Sequence, residues 1–487
     1  MRLVKDILYK VGVDAIKGST DTLVNAIVFD SRIVQKNNLF VAQRGLNYDG
    51  HEYIEKAIIS GANVVVCEAM PNELNQDTTY IQVEDSNRAL AIMASNFYDN
   101  PSSKLKLIGI TGTNGKTTIA SLLYTLFYNA GYKAGLISTI KILVDTNQYE
   151  TTHTTPDSVV INKYLDEMVE IGVDYCFMEV SSHGIHQKRT EGLQFAAAVF
   201  TNLTHDHLDY HKTFSDYRDI KKSFFDALSK SAFALVNIDD KNGAVMLQNT
   251  KAKKYAYSLK SMANFKAKIL ENRISGLLLN INGNEVWAKL IGSFNAYNLL
   301  AVYGVSNLLG MDSTASLTGI SKLESVDGRF QHFISEGGIT VVIDYAHTPD
   351  ALKNVLETII EIRTGNENII TVVGCGGDRD KAKRPVMGRI ASQLSTQTIF
   401  TSDNPRTENP ETILHEIEVG VAPGNFKKTV TVLDREQAIK TAVKFSKRGD
   451  IILIAGKGHE TYQEINGVRN HFDDFEKVTQ ILKAIES

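Results

Sequence analysis

The chain has 487 residues, too many for one hydrophobic core, so about three domains are expected. With 43% hydrophobic and 22% charged residues it reads as an ordinary water-soluble protein, and a net charge of −4 gives no general case for binding nucleic acid or a membrane surface. Cys67, Cys176 and Cys375 are odd in number and set in apolar runs, which excludes a disulfide frame or zinc site and points to a reducing, cytoplasmic setting.

The opening MRLVKDILYK lacks the apolar core of a signal peptide, and no run of about 18 apolar residues exists to span a membrane. Residues 1–100 form a first unit. Strands are expected at Ala26–Phe29, Leu39–Ala42 and Asn63–Cys67, and helices at Tyr53–Ser60 and Ser86–Tyr98. Asp99-Asn100-Pro101-Ser102-Ser103 is a turn-rich boundary.

Residues 101–327 form a second unit. Leu105–Ile110 is a strand-type run, followed by the loop Thr111-Gly112-Thr113-Asn114-Gly115-Lys116-Thr117-Thr118. Ile119, Leu122, Leu123, Leu126 and Phe127 then recur at helical spacing, with Gly131 as a C-cap. Strand, Gly-Lys-Thr loop and helix make the setting of a phosphate-binding loop, although strict G-x-x-x-x-G-K-[ST] spacing fails at Ile110. Backbone N–H groups would cradle phosphate oxygens, Lys116 would reach the β- and γ-phosphates, and Thr117 would ligate Mg²⁺. Tyr175–Val180, Ala196–Thr201 and Phe233–Asn237 read as further strands of a parallel sheet. Glu179 at a strand end, His207 in Thr204–Asp209 and Lys221 in YRDIKKSFF are the polar groups placed to face the loop. A strand-end carboxylate beside a phosphate loop is a usual partner for Mg²⁺. Short strands are expected over 250–292, turning at Ile274-Ser275-Gly276 and Asn282-Gly283-Asn284, before a helix at Asn295–Leu309.

Residues 328–487 form a third, doubly wound unit. Strands are expected at Thr340–Tyr345, Ile369–Val373, Thr398–Ser402 and Asp450–Ala455, with helices around 349–363, 385–393, 410–418 and 434–446. Loops after these strands carry Arg379, Asp403-Asn404-Pro405-Arg406, Gly456, Lys457 and Glu460. Two guanidinium groups and an acid suit an amino-acid ligand, whereas any one of them alone reads as solvated rim. Arg329 in Gly-Arg-Phe is either a surface residue or a guanidinium reaching a transferring phosphoryl group.

These residues resemble the Mur ligases of peptidoglycan synthesis across all three units. The resemblance runs through DSR (30–32), YDGH (48–51), GITGTNGKTT (109–118), MEVSSHG (178–184), HDHLDYH (205–211) and GSFNAYN (292–298). It continues through GRF (328–330), DYAHTPD (344–350), GGDRDKAKRP (376–385), DNPR (403–406) and AGKGHE (455–460). It implies an α/β fold of three domains: an N-terminal uridine-binding domain, a central P-loop ATPase and a C-terminal Rossmann-like domain. It implies an ATP-dependent acid–amino-acid ligase acting in the cytoplasm as a monomer, and serving wall growth, cell shape and division. The substrates implied are UDP-N-acetylmuramoyl-L-alanyl-D-glutamate and meso-2,6-diaminopimelate, joined through an acyl phosphate.

On the same resemblance, Gly112, Thr113, Asn114, Gly115, Lys116, Thr117, Thr118, Asn295, Asn298, Asp344 and His347 contact ATP. Thr117, Glu179, His207 and a carbamylated Lys221 hold metal, and Arg329 acts at the phosphoryl group. Ser31, His153, Thr154, Thr155, Ser181, Gln187 and Arg189 contact the nucleotide-sugar peptide, with His153 standing where the family more often has Asn. Arg379, Asp403, Asn404, Pro405, Arg406, Gly456 and Glu460 line the diaminopimelate pocket. Arg406 offers a bidentate partner for the second carboxylate that lysine lacks. An L-lysine-adding relative is the alternative. A folylpolyglutamate synthetase-type ligase would lack the first unit and the DNPR loop, and a partner-binding ATPase module would leave the Arg379/Arg406 pocket unexplained.

Overall fold

A computed structural model describes residues 1–45, 48–204 and 210–486. The chain divides into two compact units, Met1–Asn264 with Gly304–Gly310, and Phe265–Tyr303 with Met311–Ser487. The architecture is α/β, built on sheets of mostly parallel strands.

Within the first unit, a five-stranded sheet has the order Ala15–Lys17, Thr79–Gln82, Ala62–Cys67, Asn38–Val41, Ala26–Val28, antiparallel only at its first pair. Its strands are apolar on both sides, because separate clusters cover the two faces: Leu39, Val64 and Val66 on one, Phe40, Val65 and Cys67 on the other.

The larger sheet of this unit is centred on Lys106–Thr111. Tyr175–Glu179 pairs with it on one side and Phe195–Phe200 on the other, both parallel. Beyond Tyr175–Glu179 lies Ala134–Ile137, and beyond Phe195–Phe200 come Phe233–Asn237 and Lys253–Ser258. The chain thus leaves the central strand in opposite directions, which opens a crevice at its C-terminal end. The helix Lys116–Asn129 buries Ile119, Leu122, Leu123, Leu126 and Phe127, as their spacing predicts, and Gly131 follows with φ +89°. An antiparallel hairpin, Ile142–Val144 with Asn147–Tyr149, extends this sheet beyond what periodicity announces.

In the second unit, Phe265–Arg273, Gly276–Ile281 and Asn284–Ala288 form an antiparallel meander that turns at the two expected places. Asn282 (φ +49°) and Gly283 (φ +94°) make the tight two-residue turn their sequence favours. The six-stranded sheet of this unit runs Gln331–Ile334, Thr340–Asp344, Ile451–Ala455, Ile369–Val373, Gln397–Phe400, Thr429–Thr431, antiparallel at its first pair alone. Alternate residues feed opposite faces: Val342 and Leu453 pack into one core, Val341, Ile343, Ile452 and Ile454 into the other. Register pairs Asp344 with Ala455, Ala455 with Val373, and Val373 with Phe400. Four strands therefore end level, and the loops that follow them start from one line. All three cysteines are buried and free.

Candidate functional site

The phosphate loop is shaped by one glycine above all. Gly112 has φ +147°, and a Cβ there would lie 1.9 Å from Thr201 Oγ1. The loop is tied to the end of the neighbouring strand: Thr113 N–H donates to Asn202 O (2.8 Å), Asn114 N–H to Asn202 Oδ1 (3.0 Å), and Thr201 Oγ1 to Asn114 O (2.6 Å). Lys116 opens the helix and folds back over the loop, donating to Gly112 O (3.1 Å) and Thr113 O (2.7 Å). Parallel register sets Glu179 opposite Ile110, level with the loop entrance. Its buried carboxylate accepts from Thr117 Oγ1 (2.9 Å), from Thr139 N–H (2.7 Å) and from Thr139 Oγ1 (3.2 Å). Lys221, buried on the helix Phe214–Asp226, donates to Gly112 O (2.9 Å) and Thr111 Oγ1 (3.3 Å) and lies over the Tyr217 ring.

The donor set fits Mg²⁺. A threonine hydroxyl and a carboxylate 2.9 Å apart beside a phosphate cradle are hard oxygen ligands for an ion that keeps waters and phosphate oxygens as its remaining ligands. Among the described residues no cluster of three or more His, Cys, Asp or Glu side chains could hold a metal unaided. His207 lies outside the described residues.

A second group of side chains leads away from Glu179 in the same unit. Thr139 Oγ1 and Thr154 Oγ1 lie within hydrogen-bond distance (3.1 Å), Thr155 Oγ1 donates to Glu179 O (2.9 Å), and Ser181 N–H to Thr155 Oγ1 (2.9 Å). Ser181 caps the short helix Ser182–His186, and Arg189 is fixed by Thr155 O (2.6 Å) and Gln187 Oε1 (2.7 Å). Thr154, Thr155, Ser181, Gln187 and Arg189 thus form one connected network. His153 is exposed and meets its own neighbours Thr151 and Thr152. Ser31, buried just past a strand of the five-stranded sheet, stands beside the Asp30–Arg32 ion pair.

In the second unit, Gly328-Arg329-Phe330 crosses the Gly458–His459 backbone so closely that a Cβ on Gly328 would lie 2.1 Å from His459 N. Arg329 lies against the Tyr345 ring (4.7 Å), and the His459 ring stands 5.1 Å from the same ring. Burial pushes the Asp344 carboxyl up to about 6, against the pull of Arg329 and of the Phe330 N–H that it accepts at 2.7 Å. Burial, then the Arg329 charge, bring His459 down to about 3, so its ring is neutral. Asn295 and Asn298 are buried and bonded to each other (2.9 Å), while His347 is exposed and bonded to Tyr345 O (2.9 Å).

The level strand ends bring the remaining loops together. Asn404 Nδ2 donates to Glu460 Oε2 (2.7 Å), and buried Lys457 donates to Asn404 Oδ1 (3.1 Å) and Glu460 Oε2 (3.3 Å). Burial and the Asp403 charge raise Glu460 above the usual carboxylate range. Gly456 (φ +115°) admits Asp403, whose Oδ2 would be 2.6 Å from a Cβ there. Arg406 has left-handed backbone (φ +51°), held by Asn466 N–H donating to Arg406 O (2.7 Å), and its Nη1 donates to Gly377 O (2.7 Å). A Cβ on Gly376 would meet Arg406 Nη1 at 2.9 Å and the Arg379 stem at 3.8 Å, so both guanidinium side chains flank that glycine. Pro405 is buried between Asn404 and Arg406.

Three partners escape a reading by motif. Thr139, from the loop after the neighbouring strand Ala134–Ile137, satisfies Glu179. Arg384, inside GGDRDKAKRP, is wholly buried against Glu408 and Glu416. Arg435 and Asp474 form a fully buried pair, and Arg435 also donates to Ala455 O (3.2 Å), where the central strand ends. Each partner is 20 or more residues away, beyond any local signal.

Residues 110–306 match the Mur ligase middle domain, 328–458 the Mur ligase glutamate ligase domain, and 23–98 the Mur ligase family catalytic domain. A UDP-N-acetylmuramoyl-L-alanyl-D-glutamate–2,6-diaminopimelate ligase of Cytophaga hutchinsonii is 55% identical over 483 residues, 99% of each chain. Its namesake from Phocaeicola vulgatus is 50% identical over 482 residues, again 99% of each chain. The solved structure of a UDP-N-acetylmuramoyl-L-alanyl-D-glutamate–2,6-diaminopimelate ligase superposes with a TM-score of 0.70 at 32% identity, covering 100% of this chain and 99% of that one.

Proposed function

The chain belongs to the Mur ligase family, and from that premise we propose that it joins meso-2,6-diaminopimelate to UDP-N-acetylmuramoyl-L-alanyl-D-glutamate at the expense of ATP. The enzyme class is an ATP-dependent ligase forming an amide bond. The D-glutamyl side-chain carboxylate attacks the γ-phosphorus and ADP leaves. The diaminopimelate amine then adds to the acyl phosphate, and the tetrahedral intermediate collapses to amide and phosphate.

Each step asks mainly for charge to be neutralised and atoms to be held. Gly112–Thr118 cradle the triphosphate, with Lys116 turning from its own loop carbonyls to phosphate oxygens. Thr117 and Glu179, with His207 and a carbamylated Lys221, hold Mg²⁺, which supplies charge neutralisation at the phosphates. Arg329 stabilises the transferring phosphoryl group, while Asn295, Asn298, Asp344 and His347 contact the nucleotide. Ser31, His153, Thr154, Thr155, Ser181, Gln187 and Arg189 bind the UDP-sugar peptide. Arg379, Asp403, Asn404, Pro405, Arg406, Gly456 and Glu460 receive diaminopimelate. The reaction runs in the cytoplasm on a single chain; no described helix is long and apolar enough to cross a membrane.

The observation that carries the choice of amino acid is Arg406, anchored to Gly377 O in the loop cluster that also holds Asn404 and Glu460. Purified protein given ATP and the nucleotide substrate should incorporate diaminopimelate and release ADP. Preference for L-lysine in the same assay overturns the reading, and ADP release without amide formation overturns the ligase.

A further inference from the structure

Arg384 is in the first turn of the helix Lys383–Leu394, the end where a cation is disfavoured by the helix dipole. Its side chain is fully buried, a costly place for a guanidinium unless it is paired. Arg384 Nη1 donates to Glu408 Oε2 (3.0 Å) and to Glu416, and Nη2 donates to Glu408 Oε1 (2.8 Å) and Gly376 O (3.2 Å). Glu408 also accepts the Asp378 N–H (2.6 Å), and the Asp378 carboxylate accepts Thr407 Oγ1 (2.7 Å). Gly377 N–H donates to Asn404 O (2.9 Å), and a Cβ at Gly377 would lie 1.9 Å from Pro405 O. Two loops are therefore stapled face to face, and the carbonyl between Gly376 and Asp378 is the one that anchors Arg406.

We propose that Arg384 is a positioning residue for amino-acid selection: paired with Glu408, it fixes the Gly376–Asp378 loop so that Gly377 O aims the Arg406 guanidinium at the distal carboxylate of the incoming diamino acid. The proposal rests on the reading of Arg406 given above. A guanidinium discriminates by bidentate geometry, so small displacements of its anchor cost selectivity before they cost turnover.

The test compares kcat and KM for diaminopimelate, L-lysine and ATP in the wild type, Arg384→Lys and Glu408→Gln. Both variants should lower the diaminopimelate-over-lysine ratio by about tenfold through KM for diaminopimelate, leaving KM for ATP within about twofold. In an Arg406→Lys background, Arg384→Lys should lower the ratio no further, because the two act as one unit. Should Arg384→Lys fail to fold, as read by thermal melting, Glu408→Gln alone and with Arg406→Lys carries the same test. An unchanged ratio in the folded variants, or an equal fall with and without Arg406, overturns the proposal. A wild-type enzyme that ignores diaminopimelate overturns instead the reading on which it rests.

Discussion

Gly112 shows what a single residue can decide. Its backbone is in the region closed to side chains, and Thr201 Oγ1 occupies the space a methyl group would need. Gly112→Ala should cost about 2 kcal/mol or more in urea unfolding and should also spoil the loop. Lys116 folds back over the Gly112 and Thr113 carbonyls from the start of its helix, and Lys116→Ala should lower kcat by about a hundredfold or more. His459 makes a pH prediction. Its folded pKa is depressed, so the unfolded chain binds the extra proton between 6.5 and about 3. Its contribution to stability is whole above pH 6.5 and is lost as pH falls through that window; His459→Gln should flatten the urea midpoint there. Lys116 and Thr117 were legible because a phosphate loop is a local pattern of consecutive residues. Arg384 was not, since its partners lie 24 and 32 residues away and only the fold brings them near.

Among elements, what matters most is where strands stop. Thr340–Asp344, Ile451–Ala455, Ile369–Val373 and Gln397–Phe400 end level by register, and that alignment turns separate loops into one cluster. The four strands could be read from apolar runs, because both faces are covered. Their order could not, because pairing is a long-range property, and the hairpin Ile142–Val144/Asn147–Tyr149 went unread because its strands are only three residues long. The stapled loops carry an acid signature. Hydrogen bonds from Arg384 hold the Glu408 carboxyl down to about 2, below its ordinary 4.5. The ionised form is the one the fold prefers, so this stabilisation is complete above pH 4.5 and disappears as pH drops toward 2. Glu408→Gln should be less stable than wild type at neutral pH, with the two unfolding curves converging over that acid range. Parallel curves would show that Glu408 contributes no such linkage.

For the molecule as a whole, Lys116 belongs to one compact unit and Arg406 to the other, and the proposed reaction needs both residues. If each active centre is made by one polypeptide, mixing Lys116→Ala with Arg406→Ala enzyme should restore no diaminopimelate incorporation. Recovery would show that centres form between chains, contrary to a monomer. The meander Phe265–Ala288 and the start of the helix Ser293–Leu308 belong with the later sheet: Ile291 joins its core, Phe294 meets Phe330 at 5.2 Å, and Ser293 Oγ donates to Glu361. Translation therefore delivers Ile291 and Phe294 well before the sheet that shelters them, and both stay bare until the C-terminal residues emerge from the ribosome. A separately expressed later unit should accordingly start at Phe265; cut at Gly328, it would lose Ile291 and Phe294 from its core and precipitate.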